Sequence, residues 1–187
     1  MKNFSDTELF LGCKEKSPAM QKIVYEKYCA NMFAMCLRHV KETAAAEDVV
    51  IIGFMKVFDR IHQFKGTGSL GGWIRRIMVN ECLMYLEKEN NLYHEIGLDG
   101  ILPAAVQISP SDELGVEDLM KLVNSLPHGY RTVFNLYAIE GYSHLEISQR
   151  LKISENTSKS QLSRARSQLQ KMINFKSIKS NEIPQIA

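Results

Sequence analysis

The chain has 187 residues, of which 45% are hydrophobic and 24% are charged, and its formal net charge is +2. It contains neither an apolar run of about 18 residues nor an apolar segment near its start, which argues against membrane insertion or export and predicts a cytoplasmic protein. The cysteines form no C-x-x-C pair and have no histidine at zinc-ligand spacing, so we expect reduced, mostly packed thiols at Cys13, Cys29, Cys36 and Cys82.

Helical patterns dominate the first half of the chain. Ser5 and Glu8 have the spacing of a capping box and predict the start of a first helix. Apolar residues then recur at three- and four-residue steps from Met20 to Val40, which predicts a long amphipathic helix. A third helix is expected from Thr43 to Ile61.

The third predicted helix has apolar residues on two opposite faces when drawn at about 100° per residue. The face expected to pack inward carries Val50, Gly53, Phe54, Val57 and Ile61. The opposite face carries Asp48, Ile52, Met55 and Asp59. An exposed apolar patch among charges is typical of a partner-binding surface, although another helix of the same block could equally cover it.

A glycine-rich turn, residues 65–72, precedes a helix expected to run from Trp73 to Glu89. The helix opens with the single tryptophan of the chain, two adjacent arginines and, shortly after, Asn80. Aromatic and cationic groups together suit single-stranded nucleic acid, through base stacking and phosphate contacts. The alternative is that Trp73, Ile77 and Met78 belong to the core and that the arginines are solvated.

Residues 96–115 show neither a helical nor a strand period and contain Pro103, Pro110 and several glycines, so they are interpreted as a linker. Charge is distributed unevenly around it. No lysine or arginine lies between Leu92 and Met120, whereas basic residues outnumber acidic ones after Tyr142. The sequence therefore predicts an all-α protein with two small helical domains joined by a flexible, acidic linker.

The second domain contains a helix-turn-helix pattern. Ser143 and Glu146 fit a capping box, residues 152–154 form a short turn, and Ser154 can cap the next helix. That helix has apolar residues at core spacing, namely Leu162, Ala165, Leu169 and Met172. Its other face carries Asn156, Lys159, Ser160, Gln161, Ser163, Arg164 and Arg166. Such a helix can read a DNA major groove, whereas the alternative is two ordinary helices with a solvated basic face.

These motifs together resemble the extracytoplasmic-function group of the sigma-70 family. The first domain is similar to sigma region 2 through 46–50, 53–58, 72–77 and Asn80. The second is similar to sigma region 4 through 126–127, 130–134, 140–143, 146–147, 153–162 and 164–166. The resemblance implies region 2 over residues 1–95, a linker over 96–115, region 4 over 116–176 and a tail over 177–187.

The resemblance also implies a function, a set of partners and their sites. The chain would be a sigma factor that directs core RNA polymerase to promoters, with no cofactor and no catalysis of its own, and an anti-sigma factor would hold it inactive. Contact with the polymerase, through the β′ clamp helices and the β flap, would involve Asp48, Ile51, Ile52 and Met55. The −10 element would be melted and read by Lys65, Trp73, Arg75, Arg76 and Asn80. The −35 element would be read by Ser158, Lys159, Ser160, Gln161, Arg164 and Arg166. The linker would extend towards the RNA exit path.

The chain departs from the family pattern at several positions. Ile51 and Ile52 stand where the family usually has a Gln-Glu pair, so a polar contact has become apolar. Leu70-Gly71 replaces an aromatic-acidic pair, and Ser158 stands where a valine often packs. Two other functions remain open: a conventional helix-turn-helix regulator that is not a polymerase subunit, and a small helical enzyme acting on nucleic acid. The enzyme would need paired catalytic groups, and the five histidines have no partners at useful spacing.

Overall fold

A computed structural model of the chain describes residues 4–95 and 115–181, which form helices and turns and no strand. Backbone contacts divide the chain into two compact units, Met1–Asp99 and Gly100–Ala187. This arrangement confirms the predicted all-α class. The predicted linker lies outside the described residues except for Gly115, and so do residues 182–187 of the predicted tail. Within the described residues, no helix combines the length and apolar character needed to cross a membrane.

The described residues of unit 1, 4–95, form four α-helices and a short 3₁₀ turn. The helices are α1 (Asp6–Lys14), α2 (Pro18–Val40), α3 (Thr43–Asp59) and α4 (Leu70–Glu95), and the 3₁₀ turn is Ile61–Gln63. Helices α2, α3 and α4 pack against one another, and α1 packs on α2. The capping box predicted at the start of α1 is confirmed, because Ser5 Oγ accepts a hydrogen bond from the Glu8 amide and Glu8 Oε2 accepts one from the Ser5 amide.

The core of unit 1 follows the predicted periodicity. The inward residues of α3, including Val50, Phe54 and Val57, are buried. Gly53 lies where α3 crosses α4, and a side chain at this position would clash with Met78. Glycine therefore permits the close approach of the two helices. Three cysteines are buried and Cys29 is half-buried, and burial raises the pKa of the Cys13 thiol.

In unit 2, residues 115–181 are described and form four α-helices and one turn of π-helix. The helices are α5 (Val116–Ser125), α6 (His128–Phe134), α7 (His144–Leu151) and α8 (Glu155–Asn181), and the π turn is Asn135–Ile139. Its core joins α5 to α8 through Leu122, Val123, Leu126, Ala165 and Leu169. The apolar stripe predicted on α8 thus faces inward, with Met172 packed at its edge.

The helix-turn-helix predicted in unit 2 is confirmed by its caps. Gly141 has a φ of +77°, and Ser143 opens α7 with a capping box to Glu146. Lys152 ends α7 in the left-handed conformation, and Ser154 Oγ accepts a hydrogen bond from the Thr157 amide at 2.9 Å. The chain therefore turns sharply between α7 and α8.

Three helix ends differ from the sequence prediction. Helix α3 ends at Asp59 rather than at Ile61, and α4 runs from Leu70 to Glu95 rather than from Trp73 to Glu89. Two amides of the first turn of α4 are satisfied by side chains, because Asp6 Oδ2 accepts from the Leu70 amide at 3.1 Å and Ser69 Oγ accepts from the Gly72 amide at 3.3 Å.

Candidate nucleic-acid and partner interfaces

The outer surface of α3, defined by Asp48, Ile51, Ile52 and Met55, is exposed. The exposed fractions are 54% for Ile51, 46% for Ile52 and 67% for Met55. No helix within residues 4–95 covers these side chains, so the alternative of an internal packing surface is wrong for this part of the chain. An apolar patch of this kind beside a carboxylate is suited to binding another protein.

An ion pair fixes α3 against α4 close to this surface. Lys56 Nζ lies 2.6 Å from Glu81 Oε2, and Glu81 is buried while Lys56 is mostly covered. Lys56 is adjacent to Met55 in the chain, so the pair anchors the exposed part of α3 to the rest of unit 1.

A cleft of about 400 Å³ lies between the glycine-rich turn and the start of α4. It is lined by Gln63, Phe64, Lys65, Thr67, Gly68, Ser69, Gly72, Trp73 and Arg76. Three predicted residues, Lys65, Trp73 and Arg76, are among them. Arg75 and Asn80 belong to α4 but do not line the cleft; Asn80 is exposed and Arg75 half-buried. Gln63, Phe64 and Thr67 were not among the predicted site residues, although the glycines next to them in the sequence were a signal for a turn at this place.

The aromatic wall of the cleft is built by contact between rings. The centroids of Phe64 and Trp73 are 5.6 Å apart with the rings tilted at 49°, and Phe10 of α1 meets Phe64 edge-on at 5.2 Å. Trp73 is half-buried, whereas Met78 is fully buried. The alternative that these residues form the core therefore holds for Met78, while Trp73 lines the cleft.

The glycine-rich turn gives the cleft its shape. Gly66 and Gly68 have φ values of +72° and +81°, and their surroundings are open. This backbone conformation strains residues with a Cβ, so glycine is favoured at both positions. Lys65 and Arg76 add positive charge at the cleft, which can attract phosphate groups.

The first turns of α8 place polar and basic side chains in solvent. Lys159, Ser160, Arg164 and Arg166 are exposed, as are Asn156 and Ser163, which the predicted site did not include. Gln161 is half-buried, and its amide lies beside Gly129 of α6. The Arg166 guanidinium lies 5.8 Å from the centre of the Tyr137 ring, on the side of α8 that faces the π turn.

Ser158, which is predicted to contact DNA, does not reach the outer surface of α8. Its side chain is fully buried, and its hydroxyl lies 2.9 Å from Nδ1 of His144. The reason is helical spacing, because Ser158 precedes Leu162 by four residues and Ala165 by seven and therefore lies on the inner face of α8.

The described residues include no group of three or more His, Cys, Asp or Glu side chains able to hold a metal ion. The three surfaces offer apolar contact on α3, stacking and phosphate contact in the cleft, and hydrogen bonding with charge on α8.

Comparison with known proteins relates both units to one family. Residues 24–91 match the family model for sigma-70 region 2, and residues 117–169 match the model for sigma-70 region 4. The chain is 26% identical over 155 residues to the ECF RNA polymerase sigma factor SigM of Bacillus subtilis, covering 81% of this chain and 93% of SigM. It is 25% identical over 167 residues to SigW of the same organism, covering 80% and 87%.

Two solved structures share the fold. One is the sigma factor RpoE in complex with the anti-sigma factor NepR from Bartonella quintana, with a TM-score of 0.54 and 24% identity over 82% of this chain and 96% of that chain. The other is CnrH in complex with the cytosolic domain of CnrY, with a TM-score of 0.51 and 17% identity over 90% and 97%.

Proposed function

Since the chain belongs to the sigma-70 family, in its extracytoplasmic-function group, we propose which binding step of transcription initiation each of its two units performs. The chain directs RNA polymerase to specific promoters and initiates transcription there. The main support for this function is that one chain contains both a region 2 and a region 4, and that each region has an exposed surface suited to binding. Sigma factors are transcription initiation factors. We propose that this chain has no catalytic activity and that the polymerase catalyses RNA synthesis.

The outer surface of α3 is proposed to bind the β′ clamp helices of core polymerase. Its exposed apolar area would be covered on binding, and Asp48 would supply a charge at the edge that favours the correct orientation. Ile51 and Ile52 make this surface more apolar than the family pattern. The contact would therefore depend more on buried apolar area and less on polar pairing.

The cleft of unit 1 is proposed to receive an unstacked base of the −10 element. Trp73 and Phe64 offer aromatic surface for stacking, and Lys65 and Arg76 offer positive charge for the adjacent phosphates. Holding a base outside the helix favours strand separation, so recognition and melting would be coupled. Arg75 and Asn80 would contact the strand beyond the cleft.

The outer face of α8 is proposed to enter the major groove of the −35 element. Lys159, Ser160 and Arg164 are exposed on its first turns, where a recognition helix meets base edges and phosphates. Gln161 and Arg166 lie at the flanks of this face. Region 4 is also proposed to contact the β flap of the polymerase.

An anti-sigma factor is a proposed third partner. The support is that the sigma factor RpoE, which shares this fold, was determined in complex with the anti-sigma factor NepR. The proposed place of action is the cytoplasm, where the polymerase is found.

Run-off transcription with core polymerase over a library of genomic promoters tests the proposed function. Polymerase alone should give no specific transcripts, and addition of the chain should produce transcripts from a defined set of promoters. A conventional helix-turn-helix regulator would bind promoter DNA without core polymerase and would not associate with it. Failure of the chain to bind core polymerase in a pull-down at any concentration would overturn the proposal in favour of that alternative.

A further inference from the structure

The carboxylate of Asp6, in the first turn of α1, joins three helices of unit 1. Its Oδ1 accepts hydrogen bonds from Lys27 Nζ at 2.9 Å and from the Tyr28 hydroxyl at 2.8 Å, both on α2. Its Oδ2 accepts a hydrogen bond from the backbone amide of Leu70 at 3.1 Å. Leu70 is the first residue of α4 and lies 64 positions further along the chain.

The contact with Leu70 acts as a helix cap supplied by another helix. The first amides of a helix have no partner within it, and a carboxylate beside them is favoured by both hydrogen bonding and the helix dipole. Tyr28 strengthens the same junction, because its ring packs so closely on Gly71 that a Cβ there would lie 2.8 Å from the ring. The Leu70 side chain is itself fully buried. The start of α4 is thus held from α1 and α2.

The capped end of α4 borders the cleft. Ser69, Gly72 and Trp73 all line it and directly flank the segment that Asp6 and Tyr28 hold. Helix α1 also supports the aromatic wall of the cleft, since Phe10 packs edge-on against Phe64, which in turn contacts Trp73. Asp6 and Phe10, both on this short helix, thus contact either a residue that lines the cleft or the segment next to such residues.

We infer that Asp6 is a positioning residue for −10 recognition: by capping α4 from α1, it fixes the cleft in the shape that accepts a base. This inference rests on the proposed function of the cleft. Asp6 does not line the cleft and would not touch DNA. Loss of the cap would allow the start of α4 and the glycine-rich turn to adopt other positions. Binding of a base would then have to order the cleft, and the free-energy cost of that ordering would lower the affinity.

Three substitutions distinguish the effect of the Asp6–Leu70 cap from the effect of the Asp6–Lys27 ion pair. Asp6→Ala removes all three hydrogen bonds. Asp6→Asn keeps an oxygen for the Leu70 amide and loses the charge that attracts Lys27. Lys27→Met removes the ion pair and leaves the cap. If the cap is what matters, Asp6→Ala should have a large effect, and the other two should have small ones.

The experiment measures polymerase holoenzyme containing each variant. The probe is a fork-junction DNA with a duplex −35 region and a single-stranded non-template −10 segment, with a second fork bearing a mismatched −10 sequence. Asp6→Ala should weaken binding to the matched fork by about fivefold to tenfold, the range expected for loss of a helix cap. Binding to the mismatched fork should change much less, so discrimination between the two forks falls. Affinity for core polymerase should be unchanged.

Two controls make the result decisive. Glu8→Gln removes a charge from the same turn of α1 but preserves its capping box, and should leave both forks bound as in the wild type. A general loss of folding in Asp6→Ala would instead lower core affinity and binding to both forks together, and would overturn the inference.

Trp73→Ala tests the cleft itself. If it weakens matched-fork binding while Asp6→Ala does not, the inference about Asp6 is wrong and the proposed −10 site is retained. If Trp73→Ala has no effect, the proposed −10 site fails.

Discussion

Ser158 and His144 are linked through a 2.9 Å contact between the serine hydroxyl and Nδ1 of the histidine, and this contact joins the inner face of α8 to the start of α7. The contact helps to fix which side of α8 packs against α7. The side of α8 that carries Lys159 and Arg164 then faces outward. The serine therefore supports the orientation of the proposed reading helix from behind.

We expect Ser158→Ala to affect stability and not DNA recognition. It removes one hydrogen bond at a fully buried position, which should lower the free energy of unfolding by about 1 kcal/mol. Chemical denaturation measures this change, and binding to a −35 duplex is compared well below the transition. A large loss of duplex affinity with unchanged stability would place the Ser158 hydroxyl at the DNA, against its burial.

Arg164 should behave in the opposite way. It is exposed on the outer face of α8, so Arg164→Ala should leave stability within about 0.5 kcal/mol of the wild type. If Arg164 contacts a phosphate, the affinity for a −35 duplex should fall and the slope of log affinity against log salt should decrease in magnitude by about 0.9. Titration at several salt concentrations measures both quantities.

Lys121 provides a matched control for loss of one positive charge. It lies on α5, outside α8, and pairs with Asp118 at 3.3 Å. Lys121→Ala should leave the affinity and the salt slope unchanged. Equal effects of the two substitutions would mean that the measurement reports net charge and not a contact of Arg164.

Local patterns predicted much of this fold. Capping residues such as Ser5, Ser143 and Ser154 mark helix starts by direct contact with amides two or three positions away, so their signals are local in sequence. Core stripes are equally local, since residues three and four apart share one face. The outer face of α3 was found in the same way, as the face opposite the core.

Contacts between distant residues could not be predicted in this way. The Asp6–Leu70 cap joins positions far apart in the chain, and no local spacing signals it. The side walls of the cleft depend on how Phe64 and Trp73 pack in three dimensions. Ser158 is a different case: the family resemblance implied a DNA contact for it, whereas its spacing from Leu162 puts it on the inner face of α8.

The apolar surface of α3 should be essential for polymerase binding and dispensable for folding. Ile52→Asp places a charge at a position that is 46% exposed in the free chain and that would be buried against the polymerase. Because it adds an unpaired charge to the proposed interface, affinity for core polymerase should fall by tenfold or more, roughly the effect of 1.4 kcal/mol. Competition binding with purified core enzyme measures this, and thermal melting of the free variant checks that it folds.

Met84→Asp is the matched control for Ile52→Asp. Met84 is an exposed apolar residue, 57% accessible, on α4 and outside the α3 surface. The same change of apolar side chain to carboxylate should leave core affinity as in the wild type. If both variants lose affinity equally, the effect comes from charge or general surface chemistry and the assignment of α3 is contradicted.

Trp73→Ala should impair promoter melting more than initial promoter binding. The ring forms part of the aromatic wall of the cleft, so its removal deletes a stacking surface worth about 1–3 kcal/mol per base. Closed complexes depend on duplex contacts and should form at nearly normal affinity. Permanganate reactivity of unpaired thymines measures open complexes, and filter binding at low temperature measures closed ones. Equal loss of both would indicate that Trp73 serves only the core.

The Asp6 carboxylate should also impose a pH dependence on the stability of unit 1. The hydrogen bond from Lys27 is the main cause that lowers the pKa of Asp6 below its ordinary value of 3.8, and the bonds from Tyr28 and the Leu70 amide lower the pKa further, against a partly opposing effect of burial. A carboxylate whose pKa is lower in the folded state stabilises that state above its unfolded pKa. This stabilisation is lost as the pH falls through the lower, folded value.

The difference in free energy of unfolding between the wild type and Asp6→Asn isolates this contribution. It should be constant from about pH 5 to pH 8 and should shrink as the pH falls below about 4, because the wild-type carboxylate then becomes neutral like the amide. Denaturant titrations at each pH, followed by circular dichroism, provide the values. Since Asp6 is partly exposed, the difference should also decrease with added salt. A difference that grows as the pH falls below 4 would mean that the charged form of Asp6 does not stabilise the junction of α1, α2 and α4.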